Sequence, residues 1–234
     1  QVLPMNDTTM SHTWRDSYPY SAISVYALHP MYISLPLMGE LKDADRVAFY
    51  KAKQEELNAK DFVDYEAAVG YKLAYCREFF SQEGQAILSS PEYHEFFEQS
   101  QSWLMPYAAY SYLREKYQTS DFTKWDKNAI YNKSQIRELC SEDSGAYPEI
   151  SFYYFLQYIL HTQFKSVSDY ARKNGVEIGL WTQSDLHPKE GVSALLQRDI
   201  VKEVRDAGVR VLKTDVAWVG WGYSFGLNGV ADVG

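Results

Sequence analysis

Cysteine, basic charge and long apolar runs are all scarce in this 234-residue chain. Its two cysteines, Cys76 and Cys140, are too few for a disulfide scaffold and form no metal-ligand cluster. Lys and Arg number 23 against 31 Asp and Glu, a formal net charge of -8. Nucleic acid is a poor partner for such a chain, because phosphate binding needs concentrated basic patches. The longest apolar runs, such as Val69 to Cys76, are short and interrupted, so no segment is expected to span a membrane. No cleavable signal pattern is present, which leaves the cytoplasm as the default location. The chain starts at Gln1 in what reads as a strand end and stops at Gly234 without a capping element, the look of a fragment.

Aromatic residues are what the chain has in excess. They make up 16%, including 20 tyrosines, within a hydrophobic content of 46%. That composition suits a globular chain with a substantial core, as one large domain or two small ones. Gln1 to Pro4 reads as a strand terminus followed by a polar loop. Leu28 to Leu37 carries two prolines and is predicted to be extended at best. Asp64 caps a helix in which Tyr65, Ala68, Val69, Lys72, Cys76, Phe79 and Phe80 recur at helical spacing. A second helical region runs from about Pro91 to Gln118, bent or restarted at Pro106. Phe122 to Glu149 reads as loop with a short helix near Ser134 to Cys140.

The pattern then becomes regular. Phe152, Phe155, Leu156, Ile159, Leu160, Phe164, Val167 and Ala171 form one apolar stripe on a helix that stops at Asn174-Gly175, residues suited to a left-handed terminus. Val176 to Gln183 follows as a strand, Val192 to Ala207 as an amphipathic helix, and "VRVLKTDVAWV" from Val209 as another strand. Helix, strand, helix, strand with short loops predicts α/β structure with a parallel sheet. Three parts are expected: residues 1–39 as first barrel units with a sugar-binding loop, 40–148 as a helical insertion, and 149–234 as barrel helix-strand-helix-strand.

In a (β/α) barrel, chemistry gathers at the C-terminal ends of strands, where the loops surround one pit. Three groups qualify: Trp14, Asp16, Tyr18, Tyr20, Ser24 and Tyr26 in the first loop; Trp181, Gln183, Asp185 and His187 after the next-to-last strand; and Asp215 with Trp218 and Trp221. Aromatic faces beside carboxylates suit sugars, whose C–H faces stack on rings while their hydroxyls need acceptors. A carboxylate at a strand tip can also act as a glycosidase nucleophile. Asp215 is the strongest single case, since an acid ending an apolar strand must be solvated in a cleft or be costly. Bland readings stand beside these: any one tyrosine can simply pack, Asp185 can cap a turn before Pro188, and His161 on its apolar helix suits a satisfied core histidine. His29 and His187 have no ligand spacing with other His or Cys, so neither metal nor other cofactor is expected.

"QVLPMNDTT" followed by "DSYPYSAISVYALHPMYISL" resembles the 4-α-glucanotransferases (amylomaltase or disproportionating enzyme). "VDYEAAVGYKLAY" and "FYYFLQYILHTQFKSVSDYARKNGV" look like that family's inserted helix and its Phe/Tyr-Gln-Tyr barrel helix. The resemblance covers about residues 1–177. It implies α-glucan or malto-oligosaccharide as the partner, with Tyr20 contacting the sugar at the cleavage point. His29 stands where many relatives have asparagine. The family's Arg-x-Asp nucleophile motif, general-acid glutamate and His-Asp pair are not present.

From Gly179 onward the sequence resembles α-glucosidase/α-xylosidase-type retaining glycoside hydrolases instead. That resemblance makes Asp215 of "KTD" the nucleophile, with Lys213 nearby, and leaves Trp181 and Asp185 to hold the donor sugar. Joined near residue 178, the two imply about half of a (β/α)8 TIM barrel, four parallel strands, with the helical block inserted. Little turnover is expected from the chain alone, for want of a general acid. The alternatives are a non-catalytic carbohydrate-binding half-barrel, one that forms homo-oligomers through its open edges, an α-glucosidase-type hydrolase, and a helical interaction module made by residues 64–118.

Overall fold

Short polar side chains set the starts of four of the helices, each accepting hydrogen bonds from amides that the first turn leaves unpaired. The computed structural model describes residues 4–176, 179–182, 211–214 and 229–232. Asp43 caps α2 (Ala44–Asn58), Asp64 caps α3 (Tyr65–Leu88), and Ser90 caps α4 (Pro91–Tyr117) with Pro91 in its first turn. Asn132 caps α5 (Lys133–Leu139) in the same way. α6 (Tyr147–Lys173) ends at Asn174 and Gly175, whose φ of 75° is the left-handed terminus that the sequence predicts.

Leu28 to Leu37 differs from expectation. Rather than running extended, it holds a 3-10 turn at Pro30–Tyr32 and one turn of helix, α1 (Leu35–Met38). Both prolines stand in the first turn, where a fixed φ helps and the missing N–H costs nothing. They start turns here instead of excluding them. Pro106 does not restart the helix: α4 continues through it for 27 residues. Gly39 closes α1 at a φ of 137°, and a Cβ there would lie 2.7 Å from the Phe79 ring, so both backbone and space call for glycine.

The chain divides into two compact units, residues 1–164 and 165–234. In the first, Ile150 to Gln157 of α6 are buried without interruption, including the polar Ser151 and Gln157. Phe152 and Phe155 meet Phe79 and Phe80 of α3 at ring distances of 5.2–6.3 Å. Leu104 and Ala108 of α4 are in the same cluster, and so are Ala27, Ile33 and Leu41 from the first segment of the chain. The N-terminal loop and the helical block therefore share one core.

The second unit contains a three-stranded sheet in the order β1 (Gly179–Thr182), β2 (Val211–Thr214), β3 (Gly229–Asp232). β1 and β2 are parallel, pairing Trp181 with Lys213, as the strand and helix alternation requires. β3 lies antiparallel to β2, Val211 opposite Asp232. The sequence predicts parallel strands only and assigns none at 229–232, which is four residues long and begins with glycine, too short to show a period. The helix expected over 192–207 lies outside the described residues. No helix among the described residues is long and apolar enough to cross a membrane.

Candidate functional site

The loop around Tyr20 is closed at its base by a short antiparallel pairing. Asn6 bridges Leu28, Asp7 N–H donates to the Ala27 carbonyl at 2.8 Å, and His29 N–H donates to that of Met5 at 2.9 Å. Ile23 N–H closes the opposite edge onto the Asp7 carbonyl at 2.8 Å. Asp16 organises the loop from within: its carboxylate accepts from Ser11 N–H, Ser11 Oγ and His12 N–H, the last at 2.7 Å, and its carbonyl accepts from Thr8 Oγ1. A carboxylate satisfied so fully by its own loop is a structural group. This reassigns Asp16 from the candidate chemical residues, because it is buried and its oxygens face inward.

Tyr20 stands on this loop 52% exposed, its ring 5.5 Å from that of Tyr18. Trp14, Tyr18 and Tyr26 are exposed as well. Tyr26 lies stacked on Trp103 of α4 at 5.8 Å and 23°. Ser24 accepts from the N–H groups of Tyr26 and Ala27 and serves as a turn residue. Exposed aromatic rings on a braced loop can stack on the C–H faces of a sugar ring.

The bracing comes from beneath. Asp7, only 1% exposed, accepts at Oδ1 from Thr9 N–H and Oγ1, and at Oδ2 from the Tyr107 hydroxyl at 2.6 Å. Burial keeps the Tyr107 phenol protonated far above its ordinary range, and the neighbouring Asp7 adds to this. The buried Arg114 guanidinium donates to the Thr9 carbonyl and Oγ1, and to Glu115 Oε1 at 2.9 Å. Glu115 also meets His12 Nε2 at 2.6 Å. Burial alone would raise the Glu115 carboxyl; the His12 contact and the Arg114 charge outweigh it and hold the group at about 2.

His29 is buried in the same network. Its Nδ1 accepts from Met31 N–H at 2.9 Å, so the neutral ring carries its proton on Nε2 and donates to the Tyr65 hydroxyl at 2.7 Å. Burial lowers its pKa, opposed by Asp7 and Asp16. The segment beyond is gripped by side chains. Gln157, fully buried on α6, accepts from Leu28 N–H at 2.8 Å and donates to the Leu28 carbonyl at 2.9 Å. Gln163 grips Ser34 in the same two-bond manner, and Lys72 donates to the carbonyls of Met31 and Ile33.

A family model described as 4-alpha-glucanotransferase, for glycoside hydrolase family 77, matches residues 1–187. This chain belongs to the 4-alpha-glucanotransferase family. The match continues past residue 178, where the sequence suggests a change of family. Among curated proteins, the chain is 37% identical over 176 residues to 4-alpha-glucanotransferase DPE2 of Oryza sativa subsp. japonica, covering 75% of this chain and 18% of that protein. It is 26% identical over 176 residues to the 4-alpha-glucanotransferase of Chlamydia muridarum, covering 75% and 32%. The corresponding figures for that of Clostridium butyricum are 25% over 181 residues, 76% and 34%. The chain thus spans roughly a fifth to a third of the length of these relatives.

Of the four residues given a catalytic or sugar-binding role by resemblance, Tyr20 has its side chain described. Trp181 is placed on β1 by its backbone, opposite Lys213. Asp185 and Asp215 lie outside the described residues. Sequence reasoning missed Tyr107, Arg114 and Gln157 as the groups that position the loop. Gln157 offered a signal: it is a lone amide amid "FYYFLQYIL", where a polar group must find partners or be costly.

Proposed function

We propose that this chain supplies the donor-sugar part of an enzyme that transfers α-1,4-glucan segments with retention. The observation that carries this reading is the exposed Tyr18–Tyr20 pair on a loop fixed to a buried network, inside a segment matched to the family. Tyr20 contacts the sugar at the cleavage point, and Trp181 and Asp185 hold the donor. About half of a (β/α)8 barrel, with the helical block inserted, is the architecture that belongs to this reading. Asp215 is the nucleophile at a strand tip in this reading, a role that rests on the resemblance to retaining α-glucosidases read in the sequence of residues 179–234 and on no match among known proteins.

In that role an Asp215 carboxylate oxygen attacks the anomeric carbon as the bond to the leaving 4-oxygen breaks, and that oxygen takes a proton from an acid. The 4-hydroxyl of an acceptor glucan then displaces the carboxylate and gives its proton back, so two inversions retain the α configuration. The acid must stand about 5–5.5 Å from the nucleophile. Glu177 near the start of its strand and Asp185 on a neighbouring loop are poorly placed by sequence to serve. The chain alone is therefore expected to turn over little or nothing. Maltotriose disproportionation tests this: sustained transfer abolished by Asp215→Asn would overturn that expectation. Release of free glucose without longer products would favour an α-glucosidase-type hydrolysis.

A second reading, a self-associating carbohydrate-binding half-barrel, draws on the sheet. Among the described strands β1 pairs with β2 alone, and an open edge invites pairing with a second copy. Light scattering that finds a well-behaved monomer would remove it.

A further inference from the structure

Away from the Tyr20 loop, the first unit contains a cavity of about 250 Å³ between α4, α5 and the loop that joins them. Tyr110 of α4 and Phe122, Trp125 and Tyr131 of the connecting loop line it, with the amides Asn128, Asn132 and Gln135. No lining residue is charged, and none belongs to residues 7–29. Trp125 forms the floor. It is buried, tied by its indole N–H to the Thr119 carbonyl at 2.9 Å, and backed by Tyr117 at 6.3 Å and 11°. The mouth is unusual for a polar loop, since Phe122, Ile130 and Tyr131 are 56%, 82% and 69% exposed. Large apolar side chains left in water around a concavity mark a ligand surface more often than a packing fault.

The lining specifies the ligand's chemistry. With no charged side chain present, an ionic ligand would lose its hydration without compensation. A purely apolar ligand would match the aromatic walls but make no use of the amides at the rim, of which Asn132 and Gln135 are exposed. Those amides have capacity to spare. Asn132 uses its Oδ1 on the N–H groups of Ser134 and Gln135, which leaves its Nδ2 donors; Asn128 uses its Nδ2 on the Tyr117 hydroxyl, which leaves its oxygen. Among the described residues, the exposed Gln135 amide has no hydrogen-bond partner and offers both donor and acceptor. Aromatic walls with neutral donors and acceptors suit an uncharged polyhydroxylated ring. The volume is below the roughly 300–1,000 Å³ of sites for drug-sized ligands, which fits one sugar ring better than a chain.

We propose that this cavity binds a single glucosyl unit of an α-glucan, as a sugar site separate from the Tyr20 loop. The choice of glucose over another neutral sugar rests on the proposed function. The test titrates the chain with maltotriose and follows the Trp125 indole N–H and the Gln135 side-chain amide by NMR, the latter assigned by its loss in Gln135→Ala. Both resonances should move together and saturate, and Tyr131→Ala should weaken that isotherm at least tenfold. Tyr131 and Gln135 are exposed, so neither variant endangers folding. Tyr20→Ala should leave the isotherm unchanged. Loss of all maltotriose binding in Tyr20→Ala, with Tyr131→Ala binding as the parent does, would overturn the cavity site and leave the Tyr20 reading standing. The reverse pattern would sustain the cavity site and sink the role of Tyr20. Absence of any shift in the parent chain would overturn the cavity site outright.

Discussion

Tyr107→Phe removes one oxygen atom and disturbs nothing else in the shape of the core, which makes it the sharpest probe of how the Tyr20 loop is held. The lost hydroxyl donates to Asp7 Oδ2 at 2.6 Å and accepts from Gln157 Nε2 at 3.2 Å. Asp7 is 1% exposed, so water cannot replace the lost donor without opening the loop base. A hydrogen bond to a charged group is worth about 1.5–3 kcal/mol, and the residual Thr9 contacts keep the carboxylate from being orphaned. The expected loss is about 2 kcal/mol, or about 4–8 °C in melting temperature for a chain of this size. Thermal unfolding followed by circular dichroism measures it. A cycle with Asp7→Asn should return a coupling of about 1 kcal/mol or more, since the two groups touch. A Tyr107→Phe protein that melts within about 1 °C of the parent would refute the claim that this bond holds the buried Asp7 in place.

Other predictions concern the same network. Glu115 titrates near 2 in the folded chain against an ordinary 4.5, so its contribution is complete above about pH 4.5 and fades as the pH falls toward 2. The undiscounted shift is worth about 3 kcal/mol, but a side chain about a third exposed to solvent retains about 1–2. Urea unfolding of Glu115→Gln between pH 6 and pH 3 should accordingly show a shallower acid loss than the parent, and an identical slope would count against the His12–Glu115–Arg114 cluster. Gln157→Leu keeps the bulk but leaves the Leu28 N–H and carbonyl without their partners, at a cost of about 2–3 kcal/mol with partial rescue by water. Equilibrium denaturation measures that cost, and limited proteolysis should find a new cleavage within residues 8–29.

Helices with a clear period were legible in the sequence, and the loop's internal wiring was not. Asp64 as a cap, the Phe152 to Leu160 part of the stripe and the stop at Gly175 all express local rules that a single segment satisfies by itself; further along that stripe, predicted as far as Ala171, Phe164 and Val167 are 41% and 60% exposed instead of buried. Pro30 and Pro36 misled because proline excludes the interior of a helix but favours its first turn, and sequence alone did not say which position they held. Asp16 misled for a related reason. An acid beside tyrosines in a loop reads as a sugar ligand until its three loop donors are seen, and those donors lie only four and five residues away. The contacts of Tyr107 and Arg114 span 100 and 105 residues, so no window along the chain could have displayed them.

The two glutamines of α6 show why such distant contacts are needed at all. Gln157 and Gln163 lie six residues apart on a helix, and their targets Leu28 and Ser34 are six apart on an irregular segment. Six residues of helix rise about 9 Å, whereas six residues of extended chain would span about 20 Å. The two spacings match only because the 3-10 turn at Pro30–Tyr32 shortens the segment. A straight strand would have found its partners in a neighbouring strand; a shortened one presents its amides to a helix, which can answer only with side chains. Pro30, which seemed to argue for extended chain, starts the turn that makes the helix glutamines necessary, and the Tyr20 loop owes its fixed base to them.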